Sequence, residues 1–476
     1  MKLFLIEWSG EALGMPEVGR KLHKAGHEIL YWSGVQVREE APASEFPGTI
    51  FHEHDDALRG IPASGVDLSQ IPPLGEDIIR SFAETEAETL TMMNKLFEVM
   101  GVSERQHLYY KHLAYWNGVL LMLRPDAIIF PTIPHTVYDF VLYRVAKRHG
   151  VKTVMMEPTW VGDRLVMLSD YVQGSLGLLE ETKNAKGAAL GELHEDIQAE
   201  YRLQTAKGKD ATPVFVKNIQ KRYSGWRLLM RKLKVVRESI SDLSILTKAA
   251  ESFSRRLREN LKKEHTRVEK APDFNVPFIY VPLHYQPERN SSPQGGVFVD
   301  QLLLIETLAS ALPEGWMLYV KEHPTQWLYR GSRYFSYRFR GFYEHIAKLP
   351  NVRLVPIRTN SFALIEHGKG VATITGTAGW EALLRQKAVL VFGHPWYQHA
   401  PGVYKVHDRE SCRAALLQVA SGTALGGQAI LKYLAAFDRG SFHGYIDLDG
   451  KQVSALSPEE NARIMAKEIS QELLRS

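Results

Sequence analysis

The run GVATITGTAGWEALLRQKAVLVF, residues 370–392, decides the fold. Residues 370–374 are short and apolar, the pattern of a strand buried on both faces; 380–384 continue as a helix, and 388–392 form a second apolar run. A strand, a helix and another strand in so short a span make a parallel pair joined by a helical crossover. Between the first strand and the helix lie Thr375, Gly376, Thr377, Ala378 and Gly379. Small residues there let a ligand approach the backbone, and the N–H groups at a helix start attract anions. Glu381, one turn into the helix, does not favour a phosphate but accepts hydrogen bonds from ribose hydroxyls.

Working outward, the same alternation runs through strands at 278–282, 317–320 and 352–356 and helices at 299–312 and 361–367. Nearer the amino terminus, strands are expected at 2–6, 28–32, 127–130 and 153–156. Helices are expected at 16–25, 78–99, 104–123 and 138–149, while 39–73 reads as irregular. The predicted architecture is α/β, two domains at 1–165 and 276–420, the second doubly wound, with a basic helical insertion at 166–275 and a helical segment at 421–476. Gly10, Gly14 and Gly19 miss the dinucleotide spacing, so NAD or FAD is not supported.

The 476 residues are 45% hydrophobic and 24% charged, enough apolar material to bury two cores. A net charge of +4 is too mild for a general nucleic-acid binder. The single cysteine, Cys412, excludes an internal disulfide and a cysteine-built zinc site. Leu3 to Ile6 ends at Glu7, too short for a signal peptide's apolar region, and no run approaches the ~18 apolar residues of a membrane span. A cytoplasmic protein is expected. Charge is uneven: 217–270 holds sixteen Lys or Arg against six Asp or Glu, with Trp226, Leu229, Leu233, Val236, Ile240 and Leu243 at helical steps. This basic amphipathic stretch is either a solvated face or a patch for an anionic membrane surface.

In parallel sheets ligands bind beyond the carboxyl ends of strands, which directs attention to three clusters. His284 to Asn290, including Gln286, Glu288 and Arg289, follows the strand at 278–282. Lys321, Glu322, His323 and Pro324 follow the strand at 317–320, where a lysine and a histidine suit a phosphate oxygen. The turn at 375–381 is the third. His323 has no metal-ligand partner at recognisable spacing, so no metal site is expected.

HYQPE, KEHP and TGTAGWEALLRQKAVLVFG together resemble the capsule polysaccharide biosynthesis proteins, the group that includes bacterial Kdo transferases. The resemblance implies a GT-B arrangement, a cleft between two Rossmann-like domains, and a CMP-activated acidic sugar such as Kdo or another ulosonic acid as donor. By that analogy His323 and the turn Thr375 to Thr377 hold the CMP phosphate. Gln286 and Glu288 match the family's Gln-x-x-Glu element with one residue fewer between them. Domain 1–165 then faces the acceptor, a surface glycan or glycolipid, and 276–420 binds the donor nucleotide sugar, with no further cofactor.

Departure of CMP develops charge on the phosphate that Lys321, His323 and Arg289 would stabilise. The acceptor hydroxyl must lose a proton to a group on the first domain. Glu7, Glu11, His135, Asp139 and Glu157 are the candidates; His135, Asp139 and Glu157 follow strand ends, and of these Asp139 and Glu157 rank first. Three other readings stay open: a CDP-glycerol-type glycerophosphotransferase, a non-catalytic glycan or membrane assembly factor, and a non-hydrolysing sugar-nucleotide epimerase, which needs no acceptor.

Overall fold

The computed structural model describes residues 1–97, 99–206, 226, 230, 260–286, 291–327, 338–422 and 425–475. Two sheets organise it. The first contains β1 (Lys2–Leu5), β2 (Glu28–Gly34), β3 (Ile50–Glu53), β4 (Ala127–Ile129), β5 (Lys152–Pro158) and β6 (Arg164–Leu168). The second contains β7 (Phe278–Pro282), β8 (Met317–Lys321), β9 (Val352–Val355), β10 (Gly370–Thr373), β11 (Ala388–Val391) and β12 (Val403–Lys405). A last short strand, β13 (Phe442–His443), returns to the first sheet.

In the second sheet the order is β12-β11-β10-β7-β8-β9, every pair parallel. Strand order therefore reverses between β7 and β10, the switch point at which parallel sheets open a crevice. The first sheet runs β13-β6-β5-β4-β1-β2-β3 and reverses between β1 and β4. Its β5–β6 and β6–β13 pairs are antiparallel. Two doubly wound α/β domains are thus present, the GT-B arrangement expected from the sequence.

Burial explains the assignment of strands. All four residues of β10 and all three of β4 are buried, as a parallel sheet covered by helices on both faces requires. Four strands escape the sequence pattern, one of them the edge strand β12, none of whose three residues is buried. The half-buried β3, Ile50-Phe51-His52-Glu53, lies inside the stretch read as irregular and shows no alternation; it is tied in because buried His52 hydrogen-bonds the Tyr31 hydroxyl at 2.6 Å. β6 runs across the expected domain end at 165, and β13 comes from the expected helical segment, so the first sheet draws on more of the chain than 1–165.

The carboxyl-terminal helix Pro458–Leu474 starts at a Ser457 cap reinforced by Glu460. Ala462, Met465, Ala466, Ile469 and Leu473 join the core formed with Met15, Val18 and Leu22 of the helix Met15–Lys24. That helix packs so closely on β2 that a Cβ at Gly19 would collide with the Trp32 ring. The expectations for 217–259 fall outside the described residues, Trp226 and Met230 excepted. Among the described residues no helix is long and apolar enough to cross a membrane.

Candidate functional site

The strand tips of both sheets meet at one cleft of about 980 Å³. From the second domain it is lined by His284 and Tyr285 after β7, Lys321 to Pro324 at the end of β8, and Thr375 to Ala378 with Glu381 after β10. The first domain contributes Thr132, Ile133 and His135 after β4 and Glu157 to Trp160 from the end of β5. The loops singled out by position in the sequence therefore share one pocket.

The turn after β10 is built for close approach. Gly376 caps the helix Thr377–Leu384, which begins three residues before the expected start and so brings the N–H groups of Thr377 and Ala378 to the cleft. Gly376 N–H donates to Thr373 Oγ1 at 3.1 Å, and a Cβ at 376 would lie 2.8 Å from that oxygen. The Tyr397 hydroxyl donates to the Gly376 carbonyl at 2.5 Å and pins the turn from behind. Gly379 does not line the cleft: it faces Tyr397, whose hydroxyl leaves no room for a Cβ. Its smallness serves packing, a correction to its expected ligand role.

The KEHP loop is held by a buried ion pair. Glu322 receives Arg338 Nε at 2.8 Å, the Tyr343 hydroxyl at 2.6 Å and the His323 N–H at 2.6 Å. Arg338 also donates to the His284 carbonyl at 2.9 Å, so one guanidinium fixes the loops after β7 and β8 together. Burial lowers the His323 pKa to about 4. Thr325 N–H donates to its Nδ1 at 3.3 Å, which assigns the proton of the neutral ring to Nε2. His323 is thus a neutral donor rather than a cation. His284, lowered to about 3 by burial, is likewise neutral.

Lys321 Nζ donates to Ser361 Oγ at 2.6 Å, and burial brings its pKa down to about 8. It remains largely charged at neutral pH. Burial pushes Glu381 up to about 7, against the pull of Arg385 and Lys321. Lysine and glutamate are thus both near the point where their charge changes.

Gln286 is buried, donating to Ser291 Oγ at 2.6 Å and bonding Gln326 through its backbone, and it does not line the cleft. It braces the loop instead of presenting a group to a donor. Glu288 and Arg289 lie outside the described residues.

On the opposite wall the ranking needs correction. Asp139 is 2% exposed and accepts N–H groups from His135 (3.0 Å), Thr136 (2.7 Å) and Phe140 (2.6 Å). It does not line the cleft; it caps the loop that carries His135, while burial raises its pKa to about 7. His135 does line it, and its Nδ1 donates to the Ile133 carbonyl at 2.8 Å, which orients the ring. Glu157 lines it as well, held by Gln294 of the second domain at 2.9 Å. Glu7 accepts from His54 Nδ1 at 2.6 Å and from the Tyr138 hydroxyl, and neither it nor Glu11 lines the cleft.

Sequence position did not single out Gln294, Ser361, Tyr397 or Trp160. Trp160 stands at φ 61° and Val137 at φ 75°, strained conformations for such side chains, both in loops beside the cleft.

A cleft between two doubly wound α/β domains, at the strand-order reversal of each sheet, is the GT-B arrangement. Residues 253–435 match the family model described as capsule polysaccharide biosynthesis protein, so the resemblance carried by HYQPE, KEHP and the glycine turn holds across the second sheet. No curated protein sequence matches the chain. Solved structures similar to it include the Thermosulfurimonas dismutans KpsC β-Kdo 2,7 transferase, 11% identical over 83% of this chain and 97% of that one, with a TM-score of 0.29. Another is the UDP-GlcNAc 2-epimerase of Neisseria meningitidis bound to UDP-GlcNAc, 14% identical over all of both chains at a TM-score of 0.25.

Proposed function

We propose that this protein is a glycosyltransferase of capsule or other surface-polysaccharide assembly that moves an acidic sugar, Kdo or a related ulosonic acid, from a CMP-activated donor to a glycan or lipid-linked acceptor. The observation that carries the reading is the convergence of the KEHP loop and the helix start at Thr377 on one cleft at the β7/β10 switch point. The match of residues 253–435 to the capsule family supports the same chemistry.

In this reading the CMP phosphate accepts hydrogen bonds from His323 Nε2–H and from the N–H groups at the helix start. Glu381 meets the ribose. As the bond to the sugar breaks, charge builds on the phosphate, and donors already in place stabilise it without reorganising. Lys321 adds a cation whose attraction is strengthened by burial. Across the cleft, His135 Nε2 takes the acceptor proton, with Asp139 holding its loop and Glu157 orienting the acceptor hydroxyl. No step calls on a divalent ion. The protein acts at the cytoplasmic membrane face, the basic stretch 217–270 resting on anionic lipid.

Turnover assays test the donor class. Release of CMP from CMP-Kdo or CMP-neuraminate, accelerated by acceptor, is the expected result. Inertness to every CMP-sugar with turnover of CDP-glycerol would move the protein to glycerophosphate transfer, and absence of any nucleotide affinity would make it a non-catalytic assembly factor.

A further inference from the structure

Where the chain returns from the second domain to the first, β13 places His443 beside His194 and Asp196, at the start of the helix Glu195–Thr205. One candidate ligand atom from each of these three residues lies within 4.8 Å of the others. None of them lines the cleft.

The surroundings of the two imidazoles differ in a useful way. His443 Nδ1 donates to Asp163 Oδ1 at 2.6 Å, and Asp163 is itself fixed by the Ser454 hydroxyl at 2.5 Å. A carboxylate behind one ring nitrogen sets the tautomer and leaves the other nitrogen as a lone-pair donor, the arrangement found behind metal-ligating histidines. His194 Nδ1 stands 2.7 Å from Asp196 Oδ1, with a single proton between them. A metal ion can replace that proton, the ring passing to its Nε2–H tautomer.

Charge favours a cation here despite a nearby arginine. Arg164 binds Asp196 at 2.6 Å and Asp438 at 2.8 Å. Against that one guanidinium stand three carboxylates, Asp163, Asp196 and Asp438, so with both imidazoles neutral, as metal ligation requires, the cluster carries a net charge of −2 that a divalent ion neutralises. Arg164 is buried, whereas the His194 side chain is 55% exposed and that of His443 35%, which leaves a path from solvent. Asp196 Oδ1 also accepts from Ile197 N–H at 2.8 Å and from Arg164 Nη2 at 3.1 Å, while Arg164 Nε takes Oδ2, so the carboxylate is already oriented and an ion at Oδ1 displaces the longer Arg164 contact.

We propose that His194 Nδ1, Asp196 Oδ1 and His443 Nε2 bind one divalent transition ion of the Zn²⁺ or Ni²⁺ type, with Asp163 as a positioning residue. Two imidazoles and one carboxylate suit these borderline ions, whereas Mg²⁺ and Ca²⁺ require mainly oxygen ligands. Three protein ligands leave water to complete the shell. The ion ties β13 to the helix Glu195–Thr205, whose Gln204 accepts from Arg385 of the second domain at 3.2 Å. It thereby stiffens the wall behind Glu381, at a distance from the proposed chemistry.

Calorimetric titration of the full chain with Zn²⁺, and with Mg²⁺ for comparison, tests the site without reference to activity. One Zn²⁺ per chain is expected, with no saturable Mg²⁺ binding. His443→Ala and His194→Ala should each weaken Zn²⁺ at least tenfold, and Asp163→Asn by about 10- to 100-fold. Melting curves in the absence of metal establish folding; should His443→Ala be destabilised, the exposed His194→Ala decides. Lack of saturable Zn²⁺ binding, or unchanged affinity in the folded histidine variants, overturns the proposal.

Discussion

Replacing His323 separates its two nitrogens. Nδ1 accepts from Thr325, while Nε2–H is assigned to the donor phosphate. Asparagine at 323 supplies an oxygen near the Nδ1 position, so Thr325 keeps an acceptor, but it has nothing that reaches as far as Nε2. A hydrogen bond to a charged group contributes ~1.5–3 kcal/mol, which corresponds to a loss of about tenfold to hundredfold in affinity. His323→Asn should therefore fold and melt like the parent and bind CMP more weakly by that factor. His323→Gln, whose amide nitrogen extends toward the Nε2 position, should recover part of the loss. Because burial holds the imidazole pKa at about 4, the ring is neutral at neutral pH, and the ratio of parent to Asn affinities should stay constant between about pH 6 and 8. Titration calorimetry with CMP over that range is the assay. Binding by the Asn variant within twofold of the parent refutes the phosphate role; a ratio that collapses as pH rises through about 6.5 refutes the neutral donor and restores an imidazolium.

Arg338→Ala leaves Glu322 charged and buried without its partner, and should cost ~3–5 kcal/mol in denaturant unfolding. A cost below about 1 kcal/mol would mean that water or another cation replaces the guanidinium. Gly379→Ala forces a methyl group onto the Tyr397 hydroxyl and should destabilise by ~1–3 kcal/mol, with partial recovery in the Tyr397→Phe background. Equal loss in both backgrounds would show that the strain lies elsewhere. For Glu381, the folded chain keeps its proton up to about pH 7, whereas the unfolded chain releases it near 4.5. Stability of the parent relative to Glu381→Gln should then fall as pH rises from about 4.5 to 7, by at most ~1.4 kcal/mol per unit, and level off beyond. A pH-independent difference between the two unfolding curves would contradict a buried, proton-holding carboxylate.

Apart from β12, which has no buried residue, the second domain was legible because its strands are short, mainly apolar runs packed in the core, and because strand-tip residues in a parallel sheet have only one place to go. That rule led from β8 to Lys321 and His323 and from β10 to Thr375, Gly376 and Thr377. It misjudged Gly379 and Gln286, since spacing along the chain does not tell which way a loop residue faces: Gly379 meets Tyr397, eighteen residues later, and Gln286 meets Gln326, on another loop. The first domain was less legible. β3 is short and half polar, and β6 and β13 are antiparallel additions that no run of apolar residues marks. Asp139 shows the same limit: a carboxylate near a strand end serves equally to cap a loop, and its three backbone N–H partners are visible only after folding. The role proposed for His135 rests on its place in the cleft wall, with Asp139 holding its loop.

A crystal structure with CMP bound is the most direct test of the central claim that the second domain grips a nucleotide by its phosphate at the β7/β10 switch point. The account places the phosphate within hydrogen-bond reach of His323 Nε2 and the N–H groups at the start of the helix Thr377–Leu384, with the ribose toward Glu381. A phosphate seated elsewhere, or a cleft that stays without nucleotide at saturating CMP, contradicts it.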